Sequence, residues 1–512
     1  MYPSEEARRH PERVAFIMAN SGARLTYGEF DAAANRLAQL FRAQGLKSGD
    51  HVAFLMSNSL AALIAQGAAE RTGVYYTPID FHLTAEEASY IVNDCTARVV
   101  IAHADTAEVA GQLPACCPNV ERWLFDTEAE PPDGFEVYAQ AVADYPPTPV
   151  ADEELGAAML YSAGTTGRPK GIERPLPGLK PDLPLPIYAR IAKAVYQMRP
   201  NPMLLQPGPL YHAGPQSSTA VAVRMDGTSV IMDRFDAKRF LELVDQYQVT
   251  HTVVVPTMMS RLLALPDDVR ASFSLASLEA VVHGAAPCPR TVKKAMIDWL
   301  GPIVFEYYGA TEANGGTSVT SQEWLERPGT VGKPYLGELV IRGDDGAELP
   351  TGTPGQVWFR GATNFVYFRD ETKTAGGREA DGSMSTTGDI GYVDTDGYLY
   401  LTDRTAFTII SGGVNVYPQE IENVLSDHPD VADVAVIPVP NADLGEEVKA
   451  IIALRPAVPA NGDTEERLIA YCKGRLSKIK VPRSIDFVAE VPRTATGKLN
   501  KRLLRDQYRK DR

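Results

Sequence analysis

The chain has 512 residues, 44% hydrophobic and 22% charged, with 65 acidic against 50 basic side chains and a net charge of −15. This is the composition of an ordinary soluble globular protein and excludes a disordered chain, a fibrous repeat and a small disulfide scaffold. Such an acidic chain also disfavours nucleic acid or an anionic membrane as partner, and its length predicts two to four domains or subdomains at roughly 150 residues each.

Five cysteines occur, Cys95, Cys116, Cys117, Cys288 and Cys472. An odd number, wide spacing and no CxxC pair argue against disulfides or structural zinc and for a reducing cytoplasm. The opening MYPSEEARRHPERVAF lacks the apolar stretch of a signal peptide. No apolar run approaches the roughly 18 residues of a membrane span, so no transmembrane segment is expected.

Thr26 and Glu29, three residues apart, read as a capping box. The helix they start runs through Glu29–Gln44 and stops at Gly45. His51–Met56 reads as a strand, Ser59–Glu70 as a helix and Val74–Ile79 as a strand. The pattern returns over residues 227–300, where Val253–Val255 and Ala280–Val282 read as buried strands. Helices alternating with short apolar strands predict an α/β fold with mainly parallel sheets, whose ligand sites lie in loops after strands.

Eight prolines across residues 173–208 preclude one continuous helix and leave a loop around a short helix near Ile187–Met198. Beyond about residue 330 short alternating runs such as Gly355–Arg360 predict a small β-rich unit. After Asp403-Arg404 the pattern changes to a helix opened by Pro418 (Glu420–Ser426), an alternating strand (Val431–Ile437) and a second helix (Thr464–Leu476). This reads as a small α+β domain. Residues 467–512 hold fourteen basic and four acidic side chains, a net +10, so this part is expected to meet an anion or the acidic main body.

Four segments suggest chemistry. Tyr161–Gly171 (YSAGTTGRPKG) combines glycines, hydroxyls and Lys170, the composition of a phosphate cradle. It is not a Walker loop, because Pro169 precedes the lysine and Gly171 follows it. Tyr307–Glu312 offers a ring to stack on a base, a threonine hydroxyl for a phosphate and a carboxylate for Mg²⁺. Ser385–Gly391 sets Asp389 between glycines, as suits a ribose diol. Pro492–Lys498 places a lysine on a glycine-hinged loop. Alone, each of the last three reads as an ordinary turn. In order, the four read as phosphates, base plus metal, ribose and a mobile cation, an ATP site distributed along the chain.

Together with PLYHAGP (209–215), VVHGAAP (281–287), TGDIGYVDTDGYLYLTDR (387–404), IISGGVNVYPQEIE (409–422) and PRTATGKLNKRLLRD (492–506), these motifs make the chain resemble the adenylate-forming superfamily. That superfamily comprises acyl-CoA synthetases, luciferases and peptide-synthetase adenylation domains, and the resemblance, from Thr26 to Arg505, is closest to AMP-forming fatty acyl-CoA ligases. It implies an N-terminal body of two α/β subdomains plus a small β-barrel over residues 1–403. A mobile α+β lid over residues 404–512 would carry the catalytic lysine.

The resemblance implies a two-step ligase. A carboxylate attacks the α-phosphate of ATP, with Mg²⁺, to give acyl-AMP and pyrophosphate; the coenzyme A thiol then displaces AMP. The enzyme's share is mostly positioning and charge neutralisation. By motif position, Thr165, Thr166, Gly167 and Lys170 would handle the β- and γ-phosphates. Tyr308 and Gly309 would flank the adenine, with Gly284, Ala285 and Ala286 on its other side. Thr311 would contact the α-phosphate, Glu312 with Thr166 would hold Mg²⁺, and Asp389 and Arg404 would bind the ribose. Lys498 would bridge the carboxylate and α-phosphate during adenylation, Gly412 and Gly413 would line the pantetheine tunnel, and His212 would stand at the acyl-pocket mouth. His212 and Lys498 are the catalytic candidates, with Thr166 and Glu312.

The implied partners are small molecules: a fatty, branched or ring-bearing acid, ATP and CoA. No nucleic acid is implied, and relatives suggest a homodimer. Amino-acid-activating members carry an Asp where this chain has Tyr211-His212, which disfavours an amino-acid substrate. Gln206, Tyr211, Gln216, Asn314, Gly315 and Gly316 are among the acyl-pocket candidates, and the small residues suggest a bulky or long acyl group. The chain departs from the family at the lid pivot, where Ala406 replaces a charged residue. This keeps an amide ligase with an amine acceptor as an alternative, beside a luciferase-like oxygenase and a non-catalytic nucleotide-binding homologue.

Overall fold

The computed structural model describes residues 1–2, 8–162, 168–183, 186–361, 364–404, 407–411, 414–441, 444–493 and 499–510. Two compact units divide it. One comprises Met1–Val254, Leu265–Val282 and Thr363–Thr374; the other comprises Val255–Ala264, His283–Ala362 and Ala375–Arg512.

The first unit opens with β1 (Val14–Met18) and α1 (Tyr27–Ala43). The capping box is present: the Thr26 side chain accepts from the Glu29 N–H, and the Glu29 carboxylate accepts from the Thr26 N–H at 2.9 Å. Helix α2 (Leu60–Ala69) is capped by Ser59. Strands β2 (His51–Leu55), β3 (Tyr75–Pro78), β4 (Val99–His103) and β5 (Arg122–Asp126) pair in parallel in the order β5-β4-β2-β3. The pleat sends Val52, Phe54, Val99, Ile101 and Leu124 into one core and Ala53, Leu55, Val100, Ala102 and Phe125 into another. A parallel sheet covered on both faces explains why these strands are continuous apolar runs instead of alternating ones.

Strands β6 (Leu160–Ser162) and β7 (Lys170–Glu173) form an antiparallel hairpin, extended by Val366–Tyr367. A second parallel set, β8 (Met203–Gln206), β9 (Thr228–Ile231) and β10 (His251–Val254), runs in the order β10-β8-β9-β1, with α3 (Ala213–Arg224) between β8 and β9 in the chain. Among its described residues the proline-rich segment contains one helix, Pro186–Ala194.

In the second unit α4 (Arg290–Leu300) precedes an antiparallel series, β11 (Val304–Gly309), β12 (Gly316–Val319) and β13 (Lys333–Leu336). Strands β14 (Glu338–Arg342), β15 (Gly355–Arg360), β16 (Met384–Val393) and β17 (Leu399–Arg404) make a four-stranded antiparallel half-barrel around Ile341, Val357, Phe359 and Leu399. Beyond it lie α5 (Pro418–Ser426), the long antiparallel pair β18 (Val431–Asn441) and β19 (Gly445–Leu454), α6 (Gly462–Lys473), β20 (Ser484–Val488) parallel to β19, and α7 (Lys501–Lys510). Val434, Val436, Val448, Ala450 and Ile452 pack with Ile421 and Leu425 of α5 and Leu468 of α6. The alternate residues Ala435, Ile437, Ile451 and Ala453 pack with Leu504 of α7. This is the α+β character expected of the C-terminal segment.

The basic excess over residues 467–512 is partly neutralised nearby. Arg467 pairs with Asp430 at 2.9 Å, Lys480 with Glu420 at 2.6 Å, Arg493 with Asp433 at 2.6 Å and Lys501 with Glu422 at 2.8 Å. The four acids lie just upstream of the basic stretch. All five cysteines are free thiols. Among the described residues no helix is long and apolar enough to cross a membrane.

Candidate active site

Hairpin β6–β7 positions the end of the phosphate-cradle motif. Lys170 stands opposite Ser162 in the register, and Gly171 opposite Tyr161. The Tyr161 hydroxyl donates to Asp94 at 2.6 Å, and the Phe368 N–H donates to the Gly171 carbonyl at 2.8 Å. Lys170 Nζ lies 3.4 Å from Asp370 Oδ2, each side chain about a quarter exposed. The Lys373 N–H and then the Lys170 ammonium hold the Asp370 carboxyl below the usual carboxylate range. Thr165, Thr166 and Gly167 lie outside the described residues.

His212 is the N-cap residue of α3, its ring 4.3 Å from that of Tyr211, which meets Phe81 edge-on at 5.5 Å. Gln206 is fully buried and engaged by its own chain. Its Nε2 donates to Ser218 Oγ at 2.7 Å and to the Pro215 carbonyl at 3.2 Å, while its Oε1 accepts from the Gly208 N–H at 3.1 Å. It therefore fastens the end of β8 to α3, with both of its amide N–H groups spent within the chain.

In the second unit β11 and β16 bring two of the motifs together. Tyr308, near the end of β11, donates its hydroxyl to Asp389 Oδ2 at 2.6 Å, and Thr387 Oγ1 donates to the same oxygen at 2.8 Å. Asp389 is 5% exposed and pairs across the sheet with Arg404. Thr311 and Glu312 follow in the loop joining β11 to β12, Thr311 half-buried and Glu312 buried. Gly284, Ala285 and Ala286 follow strand Ala280–His283. Ala285 has φ +66°, a left-handed conformation that residues with a Cβ seldom adopt and that is common at ligand-binding turns. The side chain of Arg404, and Ala406, Gly412, Gly413 and Lys498, lie outside the described residues.

The sequence reading missed a buried charge cluster beside this segment. Lys293 Nζ of α4 meets Glu306 Oε2 of β11 at 2.5 Å, with 1% and 9% side-chain exposure. The buried His283 has Nε2 3.7 Å from the same carboxylate. Burial, then the Lys293 charge, keeps the His283 imidazole neutral well below its ordinary range. The signal was in the periodicity: Lys293 lies three and four residues before Met296 and Ile297 on the apolar face of its helix. Asp370 was also missed, because nothing in its spacing ties it to Lys170; Thr387 lies within the Ser385–Gly391 motif, two residues before Asp389, but was given no role of its own.

An aromatic hydroxyl braced on a ribose-type carboxylate, in a chain that also carries the phosphate-cradle motif, is the chemistry of a nucleotide site. The AMP-binding enzyme family matches residues 4–366, and the AMP-binding enzyme C-terminal domain matches residues 420–498. The chain belongs to the AMP-binding enzyme family. It is 30% identical to the long-chain-fatty-acid–CoA ligase FadD13 of Mycobacterium tuberculosis, over 98% of this chain and 97% of that one. It is 31% identical to a feruloyl-CoA synthase from Amycolatopsis sp., over 99% and 98%. Its fold matches the amide bond synthetase McbA from Marinactinospora thermotolerans with a TM-score of 0.83 and 25% identity, over 97% of each chain. As an AMP-binding enzyme the chain is an acid–thiol ligase of the AMP-forming acyl-CoA synthetase class, acting on an acid, ATP and CoA.

Proposed function

We propose that this ligase activates a fatty, branched or ring-bearing carboxylic acid as its acyl-adenylate and passes the acyl group to coenzyme A. The Tyr308–Asp389 hydrogen bond carries the reading of the site: two residues read separately from the sequence as base-flanking and ribose-binding share one hydrogen-bonded group. Tyr308 and Gly309 flank the adenine opposite Gly284, Ala285 and Ala286. Asp389 and Arg404 take the ribose, and Thr165, Thr166, Gly167 and Lys170 take the β- and γ-phosphates. Thr311 donates to the α-phosphate. Lys498 neutralises charge between the attacking carboxylate and that phosphate. His212 stands at the acyl-pocket mouth, and Gly412 and Gly413 line the pantetheine path. The functional division falls between a body of residues 1–403 and a lid of residues 404–512, in a cytoplasmic homodimer.

Mg²⁺ fits this donor set. Among the described residues no group of three His, Cys, Asp or Glu could cage a metal. A magnesium ion needs only one or two carboxylates when phosphates supply other oxygens. Glu312, with Thr166, would hold it, and the ion would offset phosphate charge.

The test separates the half-reactions. Lys498→Ala should lower acid-dependent pyrophosphate release by about 10²–10³, the size of one lost transition-state donor, while thioester formation from supplied acyl-AMP survives. An equal fall in both would overturn the role of Lys498. A second reading, amide synthesis with an amine acceptor, is favoured by Ala406 at the pivot and by the likeness to the amide bond synthetase. AMP release that depends on an amine and not on CoA would select it.

A further inference from the structure

Asn314 is the residue of the β11–β12 loop whose chemistry the fold leaves unexplained. It is 1% exposed, and neither its Nδ2 nor its Oδ1 has a hydrogen-bond partner. A buried amide with both ends unpaired is costly and is kept for a reason. The glycines beside it have their own reasons. A Cβ on Gly315, at φ +151°, would run into the Phe359 ring, and one on Gly316 would come within 2.6 Å of the Tyr335 hydroxyl. Rings of the same unit therefore close over these two glycines. They make no room for a bulky acyl group, which removes that ground for expecting one.

Resting on the reading above, we infer that Asn314 selects the acid, by hydrogen-bonding a neutral polar group on its acyl part. An amide presents both a donor and an acceptor, which suits a hydroxyl, phenol, ketone or amide. A second carboxylate does not fit. An amide carries no charge to set against a carboxylate, and the loop from Ala310 to Gly316 adds no basic side chain of its own, so a neutral group is the better match. The reach is also bounded. Asn314 lies three positions after Thr311, at the α-phosphate, and three residues of chain span at most about 11 Å. The recognised group therefore lies within about a ring or a short chain of the reacting carboxyl. The class is a compact acid carrying a hydroxyl, oxo or amide substituent, not an unsubstituted long-chain fatty acid.

The experiment compares matched acids that differ only in this group: cinnamic with 4-hydroxycinnamic, 3-phenylpropionic with 3-(4-hydroxyphenyl)propionic, and hexanoic with 6-hydroxyhexanoic acid. ATP-dependent pyrophosphate release is measured with the full chain and with Asn314→Leu. The expected result is that the substituted member of at least one pair is favoured by about 10–100-fold in kcat/KM, because a site built to hydrogen-bond a group rejects the analogue lacking it. In Asn314→Leu that ratio should collapse toward one. The variant should also melt about 2 °C or more above the parent, since it removes an unpaired buried amide. No preference in any pair, or a preference unchanged in Asn314→Leu, overturns the inference. A fall in melting temperature also overturns it, because the amide would then have a structural partner. Turnover without preference sinks the inference alone. No turnover with any acid, substituted or not, sinks the activity reading with it.

Discussion

The Tyr308 hydroxyl and the Asp389 carboxylate, 81 residues apart in sequence, meet at 2.6 Å, and Thr387 reinforces the same oxygen at 2.8 Å. A charged acceptor held by two hydroxyls is fixed in place before any ligand arrives, which lowers the ordering cost of binding a diol. Asp389→Asn should raise the KM for ATP by about 10-fold or more with a smaller effect on kcat, because a charge-assisted hydrogen bond is worth roughly 1.5–3 kcal/mol. Tyr308→Phe, which removes the brace and keeps the ring, should cost about threefold. Steady-state kinetics at saturating acid would check both, and equal effects on kcat would refute ground-state ribose binding.

Lys293 and Glu306 form a buried ion pair beside the neutral His283. Removing one partner strands the other charge, so Lys293→Met should destabilise by about 3–5 kcal/mol. The double variant Lys293→Met with Glu306→Leu should recover most of that loss, since a buried pair is often replaceable by well-packed apolar groups. Urea unfolding of the single and double variants measures the coupling directly. Additive losses would mean that the pair is not coupled.

Stability should fall on mild acidification. His51 lies stacked on Tyr75 with ring centroids 5.0 Å apart, and burial pushes its imidazole down to about 4. The unfolded chain takes up this proton near pH 6.5 and the folded chain does not until about pH 4, so the unfolded state binds more protons in that window. Stability is therefore fully present above pH 6.5 and is lost as pH falls toward 4, by up to about 3 kcal/mol from this one residue. Buried His283 and His251 are shifted in the same direction and add to the slope. His51→Phe keeps a stacking ring and should shrink the drop in melting temperature between pH 7.5 and pH 5. An unchanged drop would assign it to other groups.

Asp370 holds Lys170, the lysine assigned to the phosphates, at 3.4 Å. The pair is open to solvent, so its contribution to stability should be small and salt-sensitive. Asp370→Asn frees the ammonium from a competing anion. It should leave the melting temperature unchanged and lower the KM for ATP by about threefold at low ionic strength, an effect that fades at high salt. A rise in KM would instead mean that Asp370 orients the lysine.

Local features were legible in the sequence because they depend on neighbours in the chain. The Thr26–Glu29 capping box, the two-sided apolar strands and the ordered motifs rest on short-range hydrogen bonds and residue periodicity, and they were enough to indicate an α/β adenylate-forming enzyme. Only the tertiary structure decided the partners. It set Tyr308 on Asp389 and Lys293 on Glu306, turned Gln206 into a fastener within its own unit, and closed Phe359 and Tyr335 over glycines that had suggested a roomy pocket. It also left Asn314 buried with no partner. Residue type and spacing say what a side chain can do. Which atoms it meets depends on strand order and register across tens of residues, and no local pattern encodes that.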